Sequence, residues 1–243
     1  MQRSSFALQS PLPGLQNRLL EALPAADLAL IAPHLVSVDI ERGRLLYDPG
    51  DRIDTVYFPI DGVISLMTLM ENGAAIESAT IGREGALGLM AAVAPRQSLS
   101  RAIVQTPTRA LRMGAAQLHD AWEKSPPLRD LIDRHNEALF GHAIQSVACN
   151  ALHSVEARFC RWLLTCHDRI STDTVALTQE FLADMLGVQR TTVTAIARSL
   201  QEKGAIRYRR GIVDIMDRGI LEQATCECYG VIHKTYERLL PEG

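Results

Sequence analysis

The stretch Thr178 to Lys203, T-Q-E-F-L-A-D-M-L-G-V-Q-R-T-T-V-T-A-I-A-R-S-L-Q-E-K, carries the residues most suited to chemistry with a polyanion. Phe181, Leu182, Met185 and Leu186 recur at helical spacing behind the N-cap residue Thr178, and Gly187 permits a sharp turn. A second helix follows, in which Val193, Ile196, Ala197 and Leu200 form an apolar stripe while Gln189, Arg190, Thr192 and Thr194 project elsewhere. Two short helices joined by a glycine turn make a helix-turn-helix. A hairpin of this size also occurs as a plain structural element in helical bundles, and local charge separates the two readings. From Gly187 to Gly211 there are six basic residues against the single acid Glu202, whereas the whole chain is at −3. Such a local surplus is what a phosphate-binding face requires. The segment A-I-R-Y-R-R-G-I-V-D-I-M after Gly204 alternates and turns at Gly211, which predicts a β-hairpin with a basic tip, and hence a winged helix-turn-helix.

Other candidate chemistry is sparse. Cys149, Cys160, Cys166, Cys226 and Cys228 are odd in number and scattered, with no spacing of the kind that builds a disulfide or zinc framework. Reduced thiols are expected. Cys226-Glu227-Cys228 with His233 lacks a fourth ligand and the usual two-residue gap, so no metal site is expected. Met67, Met70, Met90 and Met113, with His34 or His119, show no ligand spacing and read as core filling. No G-x-S-x-G, H-E-x-x-H or G-x-x-x-x-G-K occurs, and no nucleophile-base-acid grouping is visible, so an enzyme is not expected.

The elements that must position the helix-turn-helix follow from the rest of the chain. At 243 residues, 47% hydrophobic and 22% charged, the chain is globular with room for two domains. The start, M-Q-R-S-S-F-A-L-Q-S, lacks a signal-type apolar run, and no stretch approaches the roughly 20 apolar residues of a membrane span. A cytoplasmic protein with no membrane partner is expected. Residues 14 to 32 read as one or two short helices interrupted at Pro24. From Leu35 the period changes to two, with apolar runs at 36–40, 45–47, 56–58, 63–69, 76–81 and 102–113 separated by turn pairs such as Asp61-Gly62 and Asn72-Gly73. This predicts a β-barrel or jelly roll. A long helix begins at Ser125 with Pro126 and Pro127 in its first turn. Leu128, Leu131, His135, Ala138, His142, Gln145 and Cys149 recur at alternating three and four, which predicts a dimer-forming seam. His135 and His142 there would set register or make dimerisation respond to pH. Cys149-Asn150-Ala151 is expected to be a hinge. The next helix repeats Val155, Phe159, Trp162, Leu163 and Cys166, with Arg158, Arg161 and Arg169 expected outward, and residues 220–240 read as helical.

The order R-G-R-L-L-Y-D-P-G-D, V-Y-F-P-I-D-G-V-I-S, G-A-L-G-L, long helix and winged helix-turn-helix resembles the Crp/Fnr family of bacterial transcription regulators, from about Pro24 to Arg218. The resemblance implies an α+β fold: an N-terminal double-stranded β-helix (jelly roll) sensor over residues 1–124, a dimerisation helix and hinge over 125–150, and a winged helix-turn-helix DNA-binding domain over 151–243. It implies a homodimer on palindromic double-stranded DNA, with RNA polymerase as a further partner. The family's cyclic AMP binders carry G-E-L-G-L followed by R-S-A. Here the matching stretches are Gly85-Ala86-Leu87-Gly88-Leu89 and Ser100-Arg101-Ala102, which lack the ribose-binding Glu and invert the Arg-Ser pair. Cyclic AMP is therefore not expected, and the effector stays unknown. Arg83, Gly85, Gly88, Ser100 and Arg101 are the candidate effector residues, the bland alternative being a turn with solvated arginines. The absence of Cys from residues 1–50 argues against the family's iron-sulfur cluster. In the resemblance Arg190 matches an Arg that reads guanine, while Thr191 and Ala195 depart from the founding pattern, so the operator should differ. Gln189, Thr191, Thr192 and Thr194 are candidates for adenine edges or thymine methyls, and Thr178, Arg198, Tyr208, Arg209 and Arg210 for phosphate. The alternative is a small-molecule or redox sensor acting through a protein partner, with the winged domain as scaffold.

Overall fold

The period-two segments fold as two antiparallel sheets. One has the order β1 (Val36–Ile40), β7 (Thr108–Gly114), β3 (Thr55–Asp61); the other runs β2 (Leu45–Tyr47), β6 (Arg101–Val104), β4 (Ile64–Leu69), β5 (Ala75–Ile81). The coordinates are a computed structural model that describes residues 15–240, so the first residues, read above as lacking a signal-type run, lie outside the described part. The run expected at 102–113 is two strands in different sheets, broken over residues 105–107, where Pro107 has no N–H to give a ladder. Ahead of the roll stand α1 (Arg18–Glu21) and α2 (Ala25–Ile31). The Asn17 amide pins this start to the roll by donating to the Pro59 and Gly85 carbonyls at 2.8 and 2.9 Å.

After β7 come α3 (Ala115–Lys124) and α4 (Pro126–Leu152), the latter capped by the Ser125 hydroxyl, which accepts from the Leu128 N–H. Helix α4 runs through the expected hinge, and the chain breaks instead at His153–Ser154, where Ser154 caps α5 (Val155–His167). Then follow β8 (Thr174–Ala176), α6 (Gln179–Leu186), α7 (Arg190–Glu202), β9 (Ile206–Arg209), β10 (Ile212–Ile215), α8 (Arg218–Ala224) and α9 (Cys228–Leu239). Strands β8, β10 and β9 pair in that order, the small sheet of a winged domain. Residues 220–240 are thus two helices, separated at Thr225–Glu227. Among the described residues no helix is long and apolar enough to cross a membrane.

Two expectations are overturned by packing. Leu128, Leu131, His135, Ala138, His142 and Cys149 are buried within the same chain, and Gln145 is half-buried, so these residues cannot form a seam with a second copy. They face the roll and α9, whose Tyr236 ring meets His142 edge-on at 6.0 Å. The apolar residues of α4 left exposed are instead Phe140, Ile144, Val147 and Leu152. Likewise Arg158, Arg161 and Arg169 are buried rather than outward. Helix α5 is covered on every side because the roll packs against it: Val63 and Met67 of the roll share one core with Phe159, Trp162 and Leu163.

Two buried carboxylates, Glu77 and Glu84, make polar contacts across that interface. Trp162 Nε1 donates to Glu77 Oε2 at 3.2 Å, and the Ser65 hydroxyl donates to the same buried carboxylate. Arg169 holds Glu84 with Nη2 at 2.5 Å and Nε at 3.2 Å, both side chains being buried. Of the four methionines singled out, Met67 and Met113 are buried while Met70 and Met90 are exposed, so they build no common pocket. His119 Nδ1 lies 2.6 Å from the Ala92 carbonyl, and His34 is exposed.

Candidate nucleic-acid interface

Local chemistry sets the helix-turn-helix. The Thr178 hydroxyl accepts from the Phe181 N–H at 3.2 Å and starts α6. Gly187 ends it in the left-handed region, at φ 62°, with the Val188 N–H closing on the Ala183 carbonyl at 3.0 Å. Helix α7 then buries Val193, Ala197 and Leu200 and leaves Gln189, Arg190, Thr191 and Thr194 exposed at its start, with Thr192 half-buried. No side-chain bond caps that start, and uncapped N–H groups with the positive end of the helix dipole suit an anion.

A cleft of about 580 Å³ between α6, α7 and the hairpin is lined by Thr178, Arg190, Thr194, Arg198, Tyr208 and Arg210. Gln179 sits at its centre, a residue the sequence reading passed over: its Oε1 accepts from Thr194 Oγ1 at 3.1 Å and from Arg190 Nε at 3.4 Å. Tyr208 donates its hydroxyl to the Leu177 carbonyl at 2.9 Å, so its ring braces the hairpin against α6. Of the six basic residues in the window, three face acids of the same chain: Arg198 with Glu202 at 2.9 Å, Lys203 with Glu156 at 2.6 Å and Arg207 with Asp214 at 2.9 Å. The Arg198 pair is exposed, and such pairs contribute only about 0.3–0.5 kcal/mol, so phosphate can replace Glu202. The remaining three are exposed, Arg190 at the start of α7 and Arg209 and Arg210 at the hairpin tip. Arg210 has φ 48° and is followed by Gly211 at φ 78°. Two successive left-handed residues turn a hairpin tightly with the twist of its strands, and this turn carries an Arg in place of the usual Asn or Asp.

The candidate effector residues do not converge. Arg101 donates from Nε and Nη2 to the two oxygens of Asp48, each at 2.8 Å, in a fork whose side chains stay 39% and 35% exposed, which is close to the bland reading of a turn with solvated arginines. Arg83 is exposed beside a different cavity of about 700 Å³, shared with Arg18, Arg109 and Arg169. Ser100 turns its carbonyl to the Ser98 hydroxyl at 2.7 Å. Gly88 adopts φ 91° to turn the loop, and a Cβ at Gly85 would stand 2.6 Å from His135 Nε2. Here α4 closes on the loop: the Ala86 N–H donates to His135 Nε2 at 3.2 Å. Burial drives the His135 imidazole down to about 4, against the opposing pull of the Glu84 charge.

That shift fixes a pH dependence. The unfolded chain takes up a proton on His135 near pH 6.5, whereas the folded chain does so only near 4. The folded state is therefore most stable above the unfolded value and loses about 1.4 kcal/mol per pH unit as pH falls through this window. His142, also held low by burial, acts with the same sign. Urea midpoints between about pH 7.5 and about pH 5 should fall, and His135→Asn should flatten the curve. Equal slopes in both proteins would exclude His135 as the source.

Fold and site together define a class: a roll of the cyclic-nucleotide-binding type joined through a long helix to a winged helix-turn-helix that meets DNA. The family model for the cyclic nucleotide-binding domain matches residues 37–125, and that for the Crp-like helix-turn-helix domain matches residues 157–224. The chain belongs to the Crp/Fnr family and is a DNA-binding transcriptional regulator. It is 26% identical over 180 residues to the global nitrogen regulator of Nostoc sp. (strain PCC 7120 / SAG 25.82 / UTEX 2576), covering 70% of this chain and 80% of that one. It is 23% identical over 206 residues to the CRP-like cAMP-activated global transcriptional regulator of Mycobacterium tuberculosis (strain CDC 1551 / Oshkosh), covering 82% and 92%. Among solved structures, a Crp/Fnr-family transcriptional regulator from Eubacterium rectale superposes with a TM-score of 0.65 at 19% identity, covering 85% of this chain and 96% of that one. These findings do not favour the alternative of a sensor with a scaffold wing.

Proposed function

We propose that the protein works in the cytoplasm as a homodimer on a two-fold symmetric operator. In this reading the roll, to about residue 124, receives the signal; α4 joins the two copies; and residues from about 151 onward bind DNA. The observation that carries the reading is the cleft that gathers Thr178, Arg190, Thr194, Arg198, Tyr208 and Arg210 beside the exposed start of α7. Arg190 takes a guanine through O6 and N7, Gln189, Thr191, Thr192 and Thr194 meet neighbouring base edges, and Arg198, Arg209 and Arg210 with Thr178 hold phosphates. Tyr208 contributes through its ring edge, since its hydroxyl is engaged. A complex with RNA polymerase follows if the protein activates.

The signal is taken to differ from cyclic AMP. Asp48 already occupies the Arg101 fork, and His135 already accepts the Ala86 N–H of the loop that resembles the phosphate cassette. Selection of bound sequences from a random duplex pool, repeated with cell metabolites, should return a palindrome with half-sites one helical turn apart. On that operator Arg190→Ala should cost about 1–3 kcal/mol and relax preference at one base pair per half-site. An equal loss on every sequence would remove Arg190 from base reading.

A further inference from the structure

The four side chains of Cys149, His153, Cys226 and Cys228 bring one ligand atom each to within 4.8 Å of one another. Cys149 lies on the last turn of α4 and His153 is its C-cap four residues on, with the His153 N–H still bonded to the Cys149 carbonyl, so both fall on one side of the helix end. Cys226 comes from the loop between α8 and α9, and Cys228 is the first residue of α9. Sequence spacing hid this set, because Cys226-x-Cys228 finds its other ligands 77 residues upstream and the expected partner, His233, instead faces Glu237 at 3.4 Å.

We propose that these residues form a closed Cys3His zinc site that clamps the end of α4 to the C-terminal helices. Tetrahedral zinc, with bonds of about 2.3 Å to sulfur and about 2.0–2.1 Å to nitrogen, sets sulfurs about 3.8 Å apart and sulfur from nitrogen about 3.6 Å. Here Cys149 Sγ lies 3.6 Å from Cys226 Sγ, and Cys228 Sγ lies 3.5 Å from His153 Nδ1. The first distance is too long for a disulfide. Four ligands within 4.8 Å are also too close for an iron-sulfur cluster, whose thiolates stand on different irons.

The surroundings are those of a ligand set. Glu227 holds His153 Nε2 at 3.1 Å and turns Nδ1 toward the sulfurs, the carboxylate-histidine arrangement found behind zinc ligands. Gln145 Nε2 donates to Cys228 Sγ at 3.0 Å. Three thiolates and Zn²⁺ sum to one negative charge, and the buried Arg158 and Arg161 lie close enough to act on Cys149. With all four positions filled by protein the site is structural, with no place for substrate. Its location gives it a purpose: His153 is the last residue before the Ser154 cap, so the metal fixes the joint at which α4 hands over to the DNA-binding part.

The test uses the full-length chain, reduced, stripped of metal and reloaded with Zn²⁺ or Co²⁺ alone. One metal per chain is expected by mass spectrometry. Co²⁺ should give the visible bands of tetrahedral cobalt with sulfur charge transfer. Cys226→Ser or Cys228→Ser should lose that spectrum, whereas Cys160→Ser and Cys166→Ser, buried outside the cluster, should keep it. Glu227→Ala, which spares every ligand, should weaken Zn²⁺ binding about 10–100-fold. A reduced chain that melts cooperatively yet takes up neither metal would overturn the proposal. So would a cobalt-thiolate spectrum unchanged in Cys226→Ser. DNA enters none of these readouts, so they stand apart from the proposed operator binding.

Discussion

Glu84→Ala should destabilise the folded chain by about 3–5 kcal/mol, because it leaves a buried guanidinium without its carboxylate. Arg169 reaches Glu84 through Nη2 and Nε, a fork that a point charge could not reproduce, and its remaining side-chain bond is Nη1 to the Thr80 hydroxyl. Burial pulls the Arg169 guanidinium down, but the Glu84 charge and its other anionic neighbours more than offset this, so the net shift is upward. Removing Glu84 keeps the burial and loses the compensation. The melting midpoint should fall on the order of 10 °C for a chain of this size. Because Glu84 lies on the loop after β5 and Arg169 just beyond α5, the same change loosens the roll from the winged domain. The companion test is Glu84→Leu with Arg169→Met, an apolar replacement that should recover most of the loss, since a buried ion pair is seldom better than well-packed apolar groups. If Glu84→Ala moved the denaturant midpoint by less than about 1 kcal/mol, the pair would be no more than a surface contact.

How much of this could be read from the sequence depends on where each signal lives. The helix-turn-helix was legible because its determinants are local: Thr178 caps, Gly187 turns, and the stripe of Val193, Ala197 and Leu200 repeats over one helix. The hairpin was legible for the same reason. The direction of Arg158, Arg161 and Arg169 was not. A period of 3.6 divides a helix into two faces only when one of them is wet, and α5 is wrapped by the roll and the winged domain together. Glu84, Gln179 and His153 were missed because each acts on residues far away in the chain or on another element. The Gln179 signal was nonetheless present, since a polar residue in the first turn of the first helix faces the start of the second. The separation of Arg83 from Arg101 was also beyond reach, because Asp48, which binds Arg101, lies 53 residues before it.

Helix α4 shows the same limit most sharply, and it carries the second large effect. Two stripes repeat on it at alternating three and four. The one through Leu128, Leu131, His135, Ala138 and His142 looked like the seam, but α9 and the roll cover it. The other, Phe140, Ile144, Val147 and Ala151, has the same period and faces solvent, with Phe140 68% and Val147 72% exposed. Periodicity cannot rank two stripes; only knowing what α9 packs against can. If the proposed homodimer forms, it should form here, with a second copy of α4 setting its knobs against these residues. Phe140→Asp with Val147→Asp should then give a folded monomer by sedimentation, with an unchanged circular dichroism spectrum. Its affinity for a palindromic operator should fall about 10²–10⁴-fold, since each half-site would be bound without the gain of a tethered partner. Leu131→Asp, on the covered stripe, should instead unfold the chain by burying a carboxylate in the apolar core it shares with Phe58 and Ile132. The two stripes thus predict opposite phenotypes, dissociation for one and loss of fold for the other. A doubly substituted protein that stayed dimeric would place the interface elsewhere on the molecule.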